Sequence, residues 1–114
     1  MALIKACNID AFQDSDRKAI DVRVDVNTKN VVIFKVDNEF FSIDRYCTHT
    51  KGDLLNAGLE GKVVVCPVHE ATFNLETGQL APNEYLSPHL ARVIKPTKVY
   101  PVIVKGEEIF IEID

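Results

Sequence analysis

The chain has 114 residues, 46% of them hydrophobic and 26% charged, which is enough for the packed core of one ordinary domain and too apolar for a disordered chain. Its formal net charge of −4 excludes a nucleic-acid binder, which needs a basic face; it suits docking onto basic protein surfaces, and simple solubility accounts for it equally well. Three cysteines are an odd count and too few for a disulfide scaffold, so a reduced, cytoplasmic setting is expected.

In chain order, MALIKACNIDAF has Lys5 and Asp10 interrupting its apolar run. It is too short and too polar for a signal peptide or a membrane span. DAFQDSD offers capping residues for a short helical turn near Asp10 to Asp16. Ile20, Val22, Val24 and Val26 then alternate with other residues, the period of a half-buried strand. NTKN, Asn27 to Asn30, is turn-like, and VVIFKV to Val36, DNE and FFSI to Ile43 follow as strand, turn and strand.

Further on, Leu59 to Lys62 is expected to turn the chain into the strand KVVVC, and ATFNL with ETG predicts strand then turn. QLAPNEYLSPHLARVIKP, Gln79 to Pro96, holds three of the five prolines and is expected to be an extended loop. VYPVIV, KGEE and IFIEI predict a closing hairpin, with Pro101 marking an edge or a bulge. Many short strands separated by turn residues predict an all-β sandwich or barrel, with 1–114 as a single domain.

Two stretches carry chemistry. Cys47-Thr48-His49 and Cys66-Pro67-Val68-His69 each set a thiol beside an imidazole, in the same order, where a strand-like run gives way to turn residues. In an extended segment Cys-x-His puts both side chains on one side, whereas Cys-x-x-His needs a tight turn, which Pro67 favours. A lone cysteine is often only a small buried hydrophobe. Coincidence is a poor account here, because two of three cysteines each stand beside one of three histidines. A structural zinc site with two sulfurs and two nitrogens is an alternative, giving a non-redox interaction module, although no Cys-x-x-Cys knuckle is present.

The spacing C-x-H, a gap of sixteen residues, then C-x-x-H resembles the Rieske motif, which binds a [2Fe-2S] cluster with two histidines replacing two cysteines on one iron. Gly52, Leu54, GLEGKVVVCPVH and ATFNLETG extend the likeness over roughly Phe40 to Gly78. The resemblance implies the Rieske iron-sulfur fold: an antiparallel β-sandwich base built from both termini and a smaller inserted cluster-binding part, about 46–78. It implies Cys47 and Cys66 on the inner iron and His49 and His69 on the outer, solvent-facing iron.

Two ferric ions, two sulfides, two thiolates and two neutral imidazoles sum to a neutral oxidised cluster. Reduction therefore adds one negative charge rather than deepening an existing one, which raises the potential above that of all-thiolate clusters. High-potential relatives carry an extra cysteine in each loop, and a serine and a tyrosine that donate to the cluster. The matching positions here are Gly52, Val68, Ala71 and Phe73. No disulfide brace can form and two donors are lost, so a potential near the lower end of the Rieske range, roughly −150 mV, is expected.

Glu70 stands where most relatives have glycine. A carboxylate roughly 8 Å away, at an effective dielectric of ~20, would interact by ~2 kcal/mol with an added electron. That is about 90 mV before solvent screening. The alternative for Glu70 is a solvated loop charge. Exposed histidine ligands would also make the potential fall as pH rises through their pKa values.

With two histidines on the cluster only His89 remains, so a two-histidine, one-carboxylate iron site cannot be completed within the chain. No G-x-G-x-x-G or phosphate loop is present either. The resemblance thus implies an electron carrier, not an enzyme. It would receive electrons from a flavin- or NAD(P)H-dependent reductase and pass them to a terminal oxygenase, as in aromatic-ring dioxygenase systems. The small subunit of a nitrite reductase-like complex is the alternative within the family. Asp53 and Lys51 are expected to be solvated charges, Leu54 and Val68 to pack over the cluster, and Cys7 to be a buried or half-buried strand residue.

Overall fold

The structure is a computed structural model that describes residues 2–24, 26–48, 52–68, 71–81 and 94–113. His49, Lys51, His69, Glu70, His89 and the middle of the proline-rich segment lie outside the described residues. Ten strands are present among those described. They are β1 (Ala2–Asn8), β2 (Arg17–Val24), β3 (Asn27–Val36), β4 (Glu39–Asp44), β5 (Gly58–Glu60), β6 (Val63–Val65), β7 (Thr72–Asn74), β8 (Val99–Tyr100), β9 (Val102–Lys105) and β10 (Glu108–Ile113). The architecture is all-β, as expected, with every ladder antiparallel.

Three sheets form: β1-β10-β9, β2-β3-β4-β8 and β5-β6-β7. The first joins the two termini, as the resemblance implies. The second is the middle layer, and β3 explains why. Val31, Val32, Ile33 and Phe34 are all fully buried, so this continuous apolar run is covered on both faces. Val31 and Ile33 pack with Val22, Ile109, Ile111 and Ile113 of the terminal side. Val32, Phe34 and Val36 pack with Ile43, Leu54, Val64, Phe73 and both Cys47 and Cys66 on the other. Period-2 alternation thus splits one strand between two cores.

Local chemistry sets the turns. Asp37 and Asn38 join β3 to β4 with φ of 49 and 67, the pair of positive values that a type I′ hairpin turn requires and that Asp and Asn tolerate. Asn74 accepts from the backbone N–H groups of Glu76 and Thr77 at 2.8 and 3.2 Å and turns the chain after β7.

Three expectations are corrected. Leu59 to Lys62 is not all turn: Leu59 and Glu60 belong to β5 and pair with Val64 and Val63, and the chain turns at Gly61 and Lys62. NTKN is not a turn: Asn27 to Asn30 pair with Asp21 to Val24 inside the β2–β3 ladder. The chain reverses between Val24 and Asn27 instead, which leaves Val26 88% exposed at the tip rather than on the inward face. VYPVIV is likewise not one strand. At Pro101 the chain crosses from the middle sheet, through β8, to the terminal sheet, through β9. Proline cannot donate to a ladder, and the crossover leaves only its carbonyl engaged, accepting from Glu112 N–H at 2.9 Å.

The predicted helical turn is a 3-10 turn at Ile9–Phe12. A second 3-10 turn, Leu54–Asn56, lies just after the first ligand stretch. Among the described residues no helix is long and apolar enough to cross a membrane.

Candidate metal centre

Cys47 follows β4 and Cys66 follows β6, so each ligand stretch begins where a strand ends. The two loops close in the same way. The Cys47 N–H donates to the Gly52 carbonyl at 2.8 Å, and the Cys66 N–H donates to the Ala71 carbonyl at 2.7 Å. Both thiols are nearly inaccessible, 2% and 0% exposed, neither is in a disulfide, and both belong to one packed core with Leu54, Phe73 and Val64. The structure therefore places the two predicted thiols in the same packed core. The two predicted imidazole ligands, His49 and His69, lie outside the described residues.

The loops differ in what stands beneath them. The second sits on a regular hairpin, where Val65 pairs with Thr72, Val64 with Phe73 and Val63 with Asn74. Among the described residues the first has a single bridge at its neck, Tyr46 to Asp53, supplemented by the Leu54 N–H donating to the Arg45 carbonyl at 2.7 Å.

A charge pair flanks that bridge. Arg45 Nε and Nη2 donate to the two Asp53 carboxylate oxygens at 3.0 and 2.9 Å, and both side chains are only about a quarter exposed, 26% and 27%. This forked geometry is the strong form of an arginine–carboxylate pair. Asp53 also accepts from the Leu55 N–H at 3.0 Å and so caps the second 3-10 turn. The hydrogen bond from Arg45 holds the Asp53 carboxyl below its ordinary range, and Asp53 in turn raises Arg45. Asp53 is thus not the solvated charge the sequence suggested. An oppositely charged residue on each side of one loop was the available signal.

Arg17 of β2 ties the same region to the middle sheet. Its Nη1 donates to the carbonyls of Leu55, at 3.1 Å, and Ala57, while its guanidinium lies 5.0 Å from the centre of the Phe34 ring. Two carbonyls at the end of a 3-10 turn are satisfied from a strand distant in sequence, which no local pattern announces.

The ends of the proline-rich segment reach both loops. Thr48 Oγ1 donates to the Lys95 carbonyl at 2.6 Å, and Thr72 Oγ1 donates to the Ala81 carbonyl at 2.8 Å. Both of these hydroxyls are therefore spent on backbone carbonyls. Leu54 is fully buried, whereas Val68 is 40% exposed.

The donor set suits a thiolate-bound metal. Two buried sulfurs without a disulfide, each at the head of a closed loop, are costly as bare anions and favourable once bonded to a cation. Comparison with known families decides which: the Rieske [2Fe-2S] domain matches residues 3–101.

The chain belongs to the Rieske [2Fe-2S] family.

Relatives agree along nearly the whole length. The chain is 32% identical over 113 residues to the biphenyl dioxygenase ferredoxin subunit of Pseudomonas sp. (strain KKS102), covering 98% of this chain and 93% of that one. It is 28% identical over 114 residues to the 3-phenylpropionate/cinnamic acid dioxygenase ferredoxin subunit of Photorhabdus laumondii, covering 99% and 96%. Among solved structures, it is similar to a chain in the complex of reduced oxygenase and oxidized ferredoxin in carbazole 1,9a-dioxygenase. The TM-score is 0.73 at 26% identity, over 96% of this chain and 91% of that one. The ferredoxin of Sphingomonas yanoikuyae B1 shares the fold with a TM-score of 0.77 over 99% and 100%, at 22% identity. The cofactor of this Rieske chain is accordingly a [2Fe-2S] cluster.

Proposed function

We propose that this chain is a one-electron carrier that takes electrons from a flavin- or NAD(P)H-dependent reductase and delivers them to a terminal oxygenase in the cytoplasm. The whole chain, 1–114, forms one Rieske-type domain with its cluster-binding part at about 46–78. Cys47 and Cys66 hold the inner iron, and His49 and His69 the outer one. When bound, the cluster supplies a single reversible electron and no bond chemistry of its own. The observation that carries this reading is the matched pair of loops, each opening on a buried cysteine and closed by that cysteine's own N–H. The match to ferredoxin subunits of dioxygenase systems along almost the full chain supports the choice of partners.

The protein's part is to hold the ligands and set the potential. Ala71 and Phe73 are 1% and 0% exposed and carry no hydroxyl. Thr48 and Thr72 have hydroxyls, but both are committed to carbonyls of the proline-rich segment. None of these four side chains is then a free donor that stabilises the charge of the reduced state, which supports a potential near the lower end of the family range, roughly −150 mV. Leu54, Val64 and Phe73 beneath the cysteines keep water from that side of the site.

Purified aerobically, the protein is expected to be red-brown, with iron and acid-labile sulfide in equal amounts. It is also expected to restore substrate oxidation when added to a dioxygenase system from which the ferredoxin has been left out. Colourless protein holding zinc alone, after reconstitution with iron and sulfide has failed, would overturn the reading.

A further inference from the structure

We propose that the Arg45–Asp53 ion pair positions the first ligand loop and gives the cluster a charge-neutral neighbour, so that it sets both how firmly the cluster is held and its reduction potential. The inference rests on the proposed function in one respect, that Cys47 is a cluster ligand.

The argument begins with the asymmetry of the loops. The second loop is held by a ladder of three residue pairs, Val63 to Val65 with Thr72 to Asn74. Among the described residues the first has one bridge, Tyr46 to Asp53, and no disulfide. At that neck the chain supplies a two-point salt bridge, with both N–H···O distances close to 3 Å, 3.0 and 2.9 Å. Exposed ion pairs contribute little because their long side chains must be immobilised. This one is largely pre-ordered. Arg45 lies 5.5 Å over the Tyr46 ring, its backbone is fixed by Asn30 and Leu54, and Asp53 is already committed to Leu55 N–H. Asp53 thus fastens the loop neck, on the Arg45 side, to the 3-10 turn that Arg17 anchors on the other.

The charges matter as well as the fastening. Arg45 is two positions before Cys47 in sequence. A lone cation there would favour the reduced, more negative site, and a lone anion would disfavour it. Paired, the two fields largely cancel. Removing one partner exposes the other's charge, so the two single substitutions have opposite electrical consequences despite breaking the same contact. A purely structural role would give both the same sign.

The test uses the cluster-loaded full chain and two readouts, midpoint potential and the rate of iron loss to a chelator. Arg45→Gln is expected to lower the midpoint and Asp53→Asn to raise it, and both are expected to lose iron several-fold faster. The double variant R45Q/D53N is expected to return to the native midpoint while still losing iron fast. Arg45→Lys keeps the charge but not the fork, so it should keep the midpoint and lose iron faster. Midpoints that move in the same direction in the two singles, or not at all, would overturn the proposal. If a single variant cannot retain its cluster, the exchanged pair R45D/D53R decides: recovered retention supports the clasp, and continued loss refutes it. Cys47→Ser keeps the underlying reading separate. Loss of the cluster in that variant is required by the ligand assignment, and a retained native cluster would sink that assignment whatever the ion pair does.

Discussion

Gly78→Ala should damage this protein far more than Gly61→Ala, although both glycines have positive φ, 76 and 59. The backbone strain is the same in kind: an L-residue held in the left-handed region costs roughly 1 kcal/mol. The surroundings differ. A Cβ on Gly61 would meet nothing within 4 Å. A Cβ on Gly78 would lie 3.2 Å from both the Thr97 carbonyl carbon and Val99 Cγ1, and deep inside the contact distance of the Thr97 carbonyl oxygen. A backbone carbonyl cannot swing aside like a flexible side chain, so residue 97 must move. Moving it breaks the 2.9 Å bond from Thr97 N–H to the Gly78 carbonyl. Stranding a buried donor costs about 1–3 kcal/mol.

The total is ~3 kcal/mol for Gly78→Ala against ~1 kcal/mol for Gly61→Ala. At an unfolding entropy of about 2.1 cal/mol/K per residue, 1 kcal/mol corresponds to roughly 4 °C in a chain of this size. Thermal unfolding of the cluster-loaded variants, followed by far-UV circular dichroism, should therefore show a drop of about 4 °C for Gly61→Ala and about 12 °C for Gly78→Ala. The damage should reach the metal centre, because Thr97 is close in sequence to Lys95, whose carbonyl holds Thr48 beside Cys47. Equal shifts in the two variants would refute the reasoning, since they would mean that the Gly78–Thr97 contact constrains nothing.

Cys7→Ser should leave the visible absorption of the cluster intact, whereas Cys47→Ser and Cys66→Ser should abolish it. Burial pushes the Cys7 thiol up, so Cys7 should also react with iodoacetamide at neutral pH more slowly than free cysteine does. Asp53→Asn should show a pH-dependent loss of stability. The folded Asp53 carboxyl titrates below its ordinary value through the Arg45 hydrogen bond, so its contribution is complete above the unfolded value of about 4. That contribution fades as pH falls through the depressed folded value. The gap between native protein and variant in circular-dichroism melts should thus be widest near pH 6 and close on acidification. Glu70→Gly should raise the midpoint in a redox titration, by at most about 90 mV before screening, and an unchanged midpoint would assign Glu70 to solvent.

The sequence reveals the outline of the metal centre because its chemistry is local: a thiol, an imidazole and the chain reversal between them occupy a few consecutive residues, twice. Apolar runs announce β3 and β6 for a similar reason: VVIF is wholly buried, and VVV buries Val64 with Val63 and Val65 partly covered. Where composition and register compete, the sequence misleads. NTKN has turn residues throughout, yet pairing with β2 draws it into the ladder because the neighbouring apolar positions fix the alignment. The supports of the site were also hidden. Arg17 reaches Leu55 and Ala57 across |i−j| separations of 38 and 40. Asp53 looked like a surface charge until the bridge between Tyr46 and Asp53 set it beside Arg45. Neither pairing has a periodicity, because both are products of tertiary packing.

Pulsed electron paramagnetic resonance on the dithionite-reduced protein, labelled with ¹⁵N-histidine, tests the central claim most directly. A centre held by Cys47, His49, Cys66 and His69 should show a binuclear iron signal coupled to two histidine nitrogens. A binuclear signal without nitrogen coupling, or no signal from protein that has taken up iron and sulfide, would contradict the account.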